Sequence, residues 1–421
     1  MAFRFVHTAD LHLDSPLRSL SLRDPDLADL IGDASRRALS AIVDLCIEEA
    51  VDALLIAGDL YDGEQTSMKT ARFLAREMER LHQAGIRVFK IRGNHDALSR
   101  ITAELTLPPN VHVFGGRAEM IRLRAGPLDV ALHGVSFSRP QAPESLLPKF
   151  KPALPDSANV GLLHTSLAGA PGHDVYAPTS VPELMATGFS YWGLGHVHGR
   201  AEHGSAGGRV VMPGMPQGRD VNEGGPKSVT LVTIRDDRSV EIEERVTSLA
   251  EFSRVGVDLT GVEEWREAVE RIGRALEQGR DAARSRFLVA RLHLRGRTPL
   301  AFRLRRDTDL LFAEAGARAE RVGQVFVEKL VLETEPPLSE AADAGPLLEL
   351  GRLMREDVAR SDGTRQAVRA LAEKLRDELP AEARGFAGDS EAEFESFLDR
   401  LLVDASEDML ARLSHGSEET V

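Results

Sequence analysis

Five short polar clusters, each closing an apolar run, hold the side chains of this sequence that could do chemistry. Asp10 and His12 stand in TADLHLD after residues 3–6, and Asp59 stands in AGDLYDG after residues 53–57. Asn94, His95 and Asp96 stand in RGNHD after residues 86–91, His164 in GLLHTS after 160–163, and His196 and His198 in GLGHVHG after 191–194. Carboxylate, amide and imidazole without thiolate suit divalent cations that favour oxygen and nitrogen donors. Two such ions roughly 3.5 to 4 Å apart can clamp a phosphate, lower the pKa of a bound water and neutralise charge on a leaving oxygen. That chemistry asks for one bridging carboxylate, several neutral imidazoles and further oxygen ligands. In extended chain, alternation puts His196 and His198 on one side, and likewise Asp10 and His12, so each pair can reach one ion. Asp59 would bridge. Taken alone, Asp59 reads more readily as a strand-end turn than as a metal ligand, since Gly-Asp after an apolar run is commonplace; five clusters together exceed what packing requires.

The elements that must position these groups follow from the apolar runs. Residues 53–57, ALLIA, lack alternation, as a strand covered on both faces does, which predicts a parallel or mixed sheet. In open α/β sheets ligands bind beyond the carboxyl ends of the strands, where all five clusters fall. Helical spacing over residues 35–50 and 66–84 gives a strand-helix-strand-helix opening. Short strands at 111–114 and 130–135 fit a second sheet, and strands at 210–213, 228–234 and 240–246 are expected to close it. The loop 14–33 is expected near the site's edge; the Pro-rich connection 140–155 reads as a surface loop or as a substrate contact.

The blocks DLH, GDLYDG, GNHD, LLHTS and GHVH together resemble the five signatures of the calcineurin-like metallophosphoesterases. HTADLHLDSPL and PGMPQGRDVNEGGPK are similar to the SbcD-type DNA repair exonuclease family, especially its YhaO-like branch. The resemblance is strong over residues 1–250 and loose beyond. It implies an α/β metallophosphoesterase fold of two packed mixed β-sheets flanked by helices, with a small α/β cap domain and a helical C-terminal region, divided as 1–250, 251–335 and 336–421. It also implies that Asp10, His12, Asp59 and His198 hold one metal and Asp59, Asn94, His164 and His196 the other. His95 then faces the scissile phosphate as acid or transition-state stabiliser, and Asp96 holds its imidazole in one tautomer. Some relatives carry a second histidine where this chain has Asp62, which leaves the role of Asp62 open.

The 421 residues carry a net charge of −14, which opposes simple adhesion to duplex DNA. From Glu335 onward there are 10 basic and 21 acidic residues, so most of the acidity belongs to the tail. Residues 265–334 reverse the balance, with 15 basic and 10 acidic. Arg303 and Arg305 there, with Arg219 and Lys227 in the glycine-rich loop 214–227, are the candidate DNA contacts; solvated arginines and a solvated loop are the alternatives. Residues 335–346 read as a linker, and amphipathic helices with acidic outer faces follow. In the family, helices after the cap grip the coiled coil of an SbcC-like ATPase; a bundle packed on its own body is the alternative. No GxxxxGK[ST] pattern occurs, so an ATP-driven step would need such a partner. His7 is expected to hydrogen-bond within the sheet, and the lone Cys46 to be a buried small hydrophobe. Without a disulfide framework, a leader or a long apolar span, a cytoplasmic protein with no membrane segment is expected. The composite expectation is a DNA exonuclease or endonuclease using two divalent ions, Mn²⁺ ahead of Fe²⁺ or Zn²⁺, with DNA and an SbcC-like ATPase as partners and a homodimer as its assembly. A small-molecule phosphodiesterase or phosphomonoesterase, and a scaffold with a decayed site, are the competing readings.

Overall fold

A computed structural model describes residues 2–15, 25–61, 68–97, 107–167, 175–205, 207–337, 346–379, 384, 386–388 and 390–413. The chain divides into two compact units, Met1–Ser253 with Arg280–Val289, and Arg254–Gly279 with Ala290–Val421.

In the first unit, β1 (Ala2–Thr8), β2 (Ala53–Ala57), β3 (Arg87–Ile91) and β4 (Val111–Val113) run parallel in that order. β5 (Glu119–Ala125), β6 (Leu128–Gly134), β7 (Ala158–His164), β8 (Tyr191–Gly195), β9 (Ala201–Ser205) and β10 (Gly208–Met212) build a second sheet with the order β5-β6-β7-β8-β10-β9. Its central strands β6, β7, β8 and β10 are parallel, with antiparallel β5 and β9 at the edges. β11 (Ser228–Arg235) pairs antiparallel with β1, and β12 (Val240–Val246) with β11.

Alternation within each strand explains the layering. In β2, Ala53, Leu55 and Ala57 enter the core between the sheets with Phe5, Ile91, Val160, Leu162 and Tyr191. Leu54 and Ile56 face the other way, onto Leu39, Ile42, Val43 and Cys46 of the helix Ala34–Glu48 and Leu74, Met78 and Leu81 of the helix Met68–Gln83. All five β2 residues are therefore buried, as the unbroken apolar run requires. Cys46 is buried, and burial pushes its thiol pKa up.

The expected strands form, but the sheet assignment of three of them is corrected. Residues 228–234 and 240–246 close the first sheet, not the second, and 111–113 also belong to the first. β1 pairs with β2 along one edge, and its other edge takes β11. Period-two patterning identifies a strand without naming its neighbour, so this pairing across more than two hundred residues leaves no local trace.

The second unit holds most of a three-stranded sheet, β13 (Ala250–Asp258), β14 (Phe287–Arg297) and β15 (Val325–Glu335), with the helices Trp265–Ala282, Ala301–Arg306 and Thr308–Val322. It continues into the helices Pro346–Leu353, Asp362–Glu378 and Glu391–Leu413. Phe394 and Leu398 of the last pack with Ala372 and Ala387. Residues 338–345 of the expected linker lie outside the described residues. Among the described residues no helix is long and apolar enough to cross a membrane.

Candidate metal centre

Each polar cluster lies where a parallel strand ends. Asp10 and His12 follow β1, Asp59 follows β2, Asn94 and His95 follow β3, His164 closes β7, and His196 and His198 follow β8. Three strands of one sheet and two of the other thus deliver their polar termini to one edge. Backbone pairing continues past the ends of β1 and β2: the N–H groups of Asp10, His12 and Leu13 donate to the carbonyls of Gly58, Asp59 and Leu60 at 3.1, 3.1 and 3.0 Å. The two loops are therefore held as one unit.

Asp10, His12, Asp59 and His196 have φ of 51°, 42°, 49° and 101°, a region that costs side-chain-bearing residues roughly 1–3 kcal/mol each. Surrounding contacts hold them there. Asp10 accepts the His196 N–H at 2.9 and 3.1 Å, and Asp59 Oδ1 accepts the His95 N–H at 3.0 Å. A Cβ at Gly93 would collide with Asp59 Oδ1 and stand 2.6 Å from His164 Nε2, so only glycine lets the RGNHD turn approach so closely.

The donors fall into two groups, Asp10 with His12 and His198, and Asp59 with His164 and His196, each with ligand atoms within 4.8 Å of one another. In the first, His12 Nε2 and His198 Nε2 are 3.2 Å apart. In the second, His164 donates through Nδ1 to the Ala57 carbonyl at 2.9 Å. Its Nε2 then faces Asn94 Oδ1 at 3.0 Å and Asp59 Oδ2 at 3.3 Å. A neutral imidazole with Nδ1 protonated would set a lone pair against two oxygens, a clash that a proton on Nε2 or a bound cation relieves. Burial works against a charged His164, yet Asp59 outweighs it and the ring's pKa is raised to about 9. Burial also opposes ionisation of Asp59, but His164 holds its carboxyl well below the usual range. Burial raises Asp10 to about 6, against the pull of His164 and His198, and lowers His12 to about 3. These side chains fit a pair of divalent ions, and Asn94 supplies a neutral oxygen to the second group.

His95 is exposed, its ring centroid 5.0 Å from that of His12. Asp96 departs from the expectation that it steadies the His95 ring. Its carboxylate is wholly buried, with Oδ1 accepting the Gly93 N–H at 2.7 Å and Oδ2 lying 3.4 Å from the Leu60 N–H and 3.7 Å from Lys90 Nζ. It braces the turn from inside. Asp62 lies outside the described residues. His7 accepts from the Tyr191 hydroxyl at 2.9 Å and donates to the Leu194 carbonyl at 3.1 Å, a hydrogen-bonded residue of the sheet core.

Sequence reasoning missed Glu223. Its Oε1 accepts from His198 Nδ1 at 2.9 Å, which leaves Nε2 to face His12. A carboxylate in this place fixes the tautomer and the ring orientation of a ligating histidine. Burial disfavours the charge, but the hydrogen bonds from His198 and Arg219 hold Glu223 well below the usual carboxylate range. Arg219 donates to Glu223 through Nη2 at 2.6 Å and through Nε, and reaches Ser15 Oγ through Nη1 at 3.3 Å. It latches the glycine-rich loop to the residues after β1. Lys227 is half-buried behind Gly218.

The arginines of the second unit are largely engaged with acids. Arg291 pairs with Glu328 at 2.6 Å, Arg295 with Glu333 at 2.5 Å and Arg297 with Glu335 at 3.1 Å across β14 and β15. Arg305 meets Asp408 at 3.2 Å and Asp404 at 3.8 Å on the helix Glu391–Leu413. Arg303 lies over the Trp265 ring at 5.1 Å and is exposed.

Comparison with known proteins gives two family matches, residues 3–200 to the calcineurin-like phosphoesterases and residues 252–335 to the middle domain of metallophosphoesterase YhaO. The chain is 33% identical over 263 residues to metallophosphoesterase YhaO of Bacillus subtilis (strain 168), covering 61% of this chain and 63% of that one. It is 27% identical to the DNA double-strand break repair protein Mre11 of Sulfurisphaera tokodaii over 51% of this chain and 54% of that one. It is 33% identical to the SbcCD nuclease subunit of Rhodobacter capsulatus over 27% and 26% of the two chains. The chain thus spans less than two thirds of the length of each of these relatives.

Proposed function

With residues 3–200 a calcineurin-like metallophosphoesterase domain, we propose that this chain is a metal-dependent DNA nuclease that hydrolyses phosphodiester bonds. The observation that carries the hydrolytic part is the juxtaposition of the two ligand groups, Asp10, His12, His198 and Asp59, His164, His196, on loops tied to each other. Two bound divalent ions supply a water of lowered pKa and positive charge beside the phosphate oxygens. Oxygen and imidazole donors without thiolate favour Mn²⁺, with Fe²⁺ and Zn²⁺ the alternatives. Asp59 accepts the His95 N–H through Oδ1 and faces His164 through Oδ2, and Glu223 sets His198. His95, outside both groups, holds a proton where a departing oxygen can take it.

DNA as substrate draws support from the relatives named as a DNA double-strand break repair protein and a nuclease. An SbcC-like coiled-coil ATPase as partner fits the C-terminal helices, on which Leu371, Leu375, Val403 and Met409 are exposed; a homodimer completes the proposal. One observation favours a second reading, hydrolysis of small phosphoesters: of the four candidate DNA contacts Arg219, Lys227, Arg303 and Arg305, the three arginines stand in ion pairs with Glu223, Asp307 and Asp408. End-labelled duplex and hairpin DNA, assayed with Mn²⁺ beside a chromogenic phosphodiester, separates the two. Cleavage of DNA is expected; turnover of the small ester alone would sink the nuclease reading.

A further inference from the structure

A buried ammonium lies behind the RGNHD turn with no place in the reaction described so far. Lys90 on β3 shares its side of the strand with Val88, which packs toward the helices, while Phe89 and Ile91 face the second sheet. It is 1% exposed, and among the described residues its Nζ has no hydrogen-bond partner. The nearest opposite charge there is Asp96 Oδ2 at 3.7 Å, in a residue of zero exposure. An ammonium or a carboxylate buried alone is strongly unfavourable, and each here is the other's counter-charge.

The carboxylate so balanced is the one that joins two ligand loops. Through Gly93 N–H at 2.7 Å it holds the residue before Asn94, and through Leu60 N–H at 3.4 Å the residue after Asp59. The same turn is tied on its other side, where the Arg92 N–H donates to Ser136 Oγ at 2.9 Å. We propose that Lys90 is a positioning residue for the metal centre: standing against Asp96 inside the fold, it holds in place the side chain that ties Gly93 to Leu60 and so fixes the spacing between Asp59 and the Asn94–His95 segment. Lys90 touches neither metal nor substrate and acts only through Asp96.

This inference rests on the dinuclear reading of the site and does not require DNA as substrate. The test compares the parent, Lys90→Met and the double variant Lys90→Met/Asp96→Asn. Methionine keeps the unbranched stem and removes the charge; the double variant removes both charges and leaves an amide oxygen for the Gly93 N–H. The readouts are Mn²⁺ bound per chain by equilibrium dialysis, the electron paramagnetic resonance signature of a coupled Mn²⁺ pair, and kcat and KM on bis(p-nitrophenyl) phosphate. Lys90→Met is expected to lose the coupled signature and to fall about 10- to 100-fold in kcat with little change in KM. The double variant is expected to regain the signature and most of the lost kcat, a rescue that loss of packing alone would not produce. A coupled pair and parent kcat in Lys90→Met would overturn the proposal, as would a double variant no better than the single one. Should Lys90→Met not fold, the double variant decides alone: a coupled pair there supports the proposal, and its loss overturns it. A parent that binds no Mn²⁺ would instead sink the dinuclear reading itself.

Discussion

His95→Ala is expected to keep both bound Mn²⁺ ions and to lose turnover by about 10²–10⁴-fold, the contribution typical of a positioned general acid. The two halves of this expectation come from different atoms of one residue. The backbone N–H of His95 donates to Asp59 Oδ1 at 3.0 Å, and alanine retains it, so the Asp59 carboxylate keeps its orientation. The imidazole is exposed beside His12 and belongs to neither ligand group, so its removal takes no donor from either ion. Metal content by inductively coupled plasma analysis and kcat on a phosphodiester check the two halves together. A variant with full metal and the parent rate would remove His95 from the reaction; one that loses metal would make it a ligand.

Asp59→Asn is expected to abolish activity and to reduce the bound Mn²⁺ below two per chain. Asparagine is the informative replacement because Asp59 has a φ of 49°, a conformation that Asn adopts nearly as readily as Asp, whereas most side chains would add strain. The amide oxygen can still accept the His95 N–H, so the fold around β2 persists while the bridging charge is gone. Ligand linkage gives a readout free of catalysis: at about 100 times its Kd, an ion stabilises the folded parent by about 2.7 kcal/mol per site. That Mn²⁺-dependent rise in Tm should shrink sharply in Asp59→Asn. An unchanged rise, with two ions still bound, would mean that Asp59 is no bridge.

The residues that hold the candidate centre were legible in the chain because each lies immediately after an apolar run. A buried parallel strand announces itself locally, and its carboxyl end is where an α/β sheet presents chemistry, so Asp10, Asp59, Asn94, His164 and His196 could be placed at one edge without knowing the strand order. What failed to show was whatever depends on contacts distant in the chain. The pairing of β11 with β1 leaves no mark in either strand. Glu223 is one acid among many in a glycine-rich loop, with no spacing that ties it to His198. The positive balance of residues 265–334 suggested a DNA-facing surface, yet Arg291, Arg295 and Arg297 meet glutamates of β15 that composition counted separately. Asp96 follows His95 in sequence, but the turn carries its carboxylate inward to Gly93, Leu60 and Lys90.

Anomalous diffraction from crystals of the parent protein grown with Mn²⁺ tests the dinuclear reading most directly. Two peaks are expected, roughly 3.5–4 Å apart. One should lie among Asp10, His12 and His198, the other among Asn94, His164 and His196, with Asp59 between them. A single peak at saturating Mn²⁺, or peaks remote from Asp59, would contradict the account.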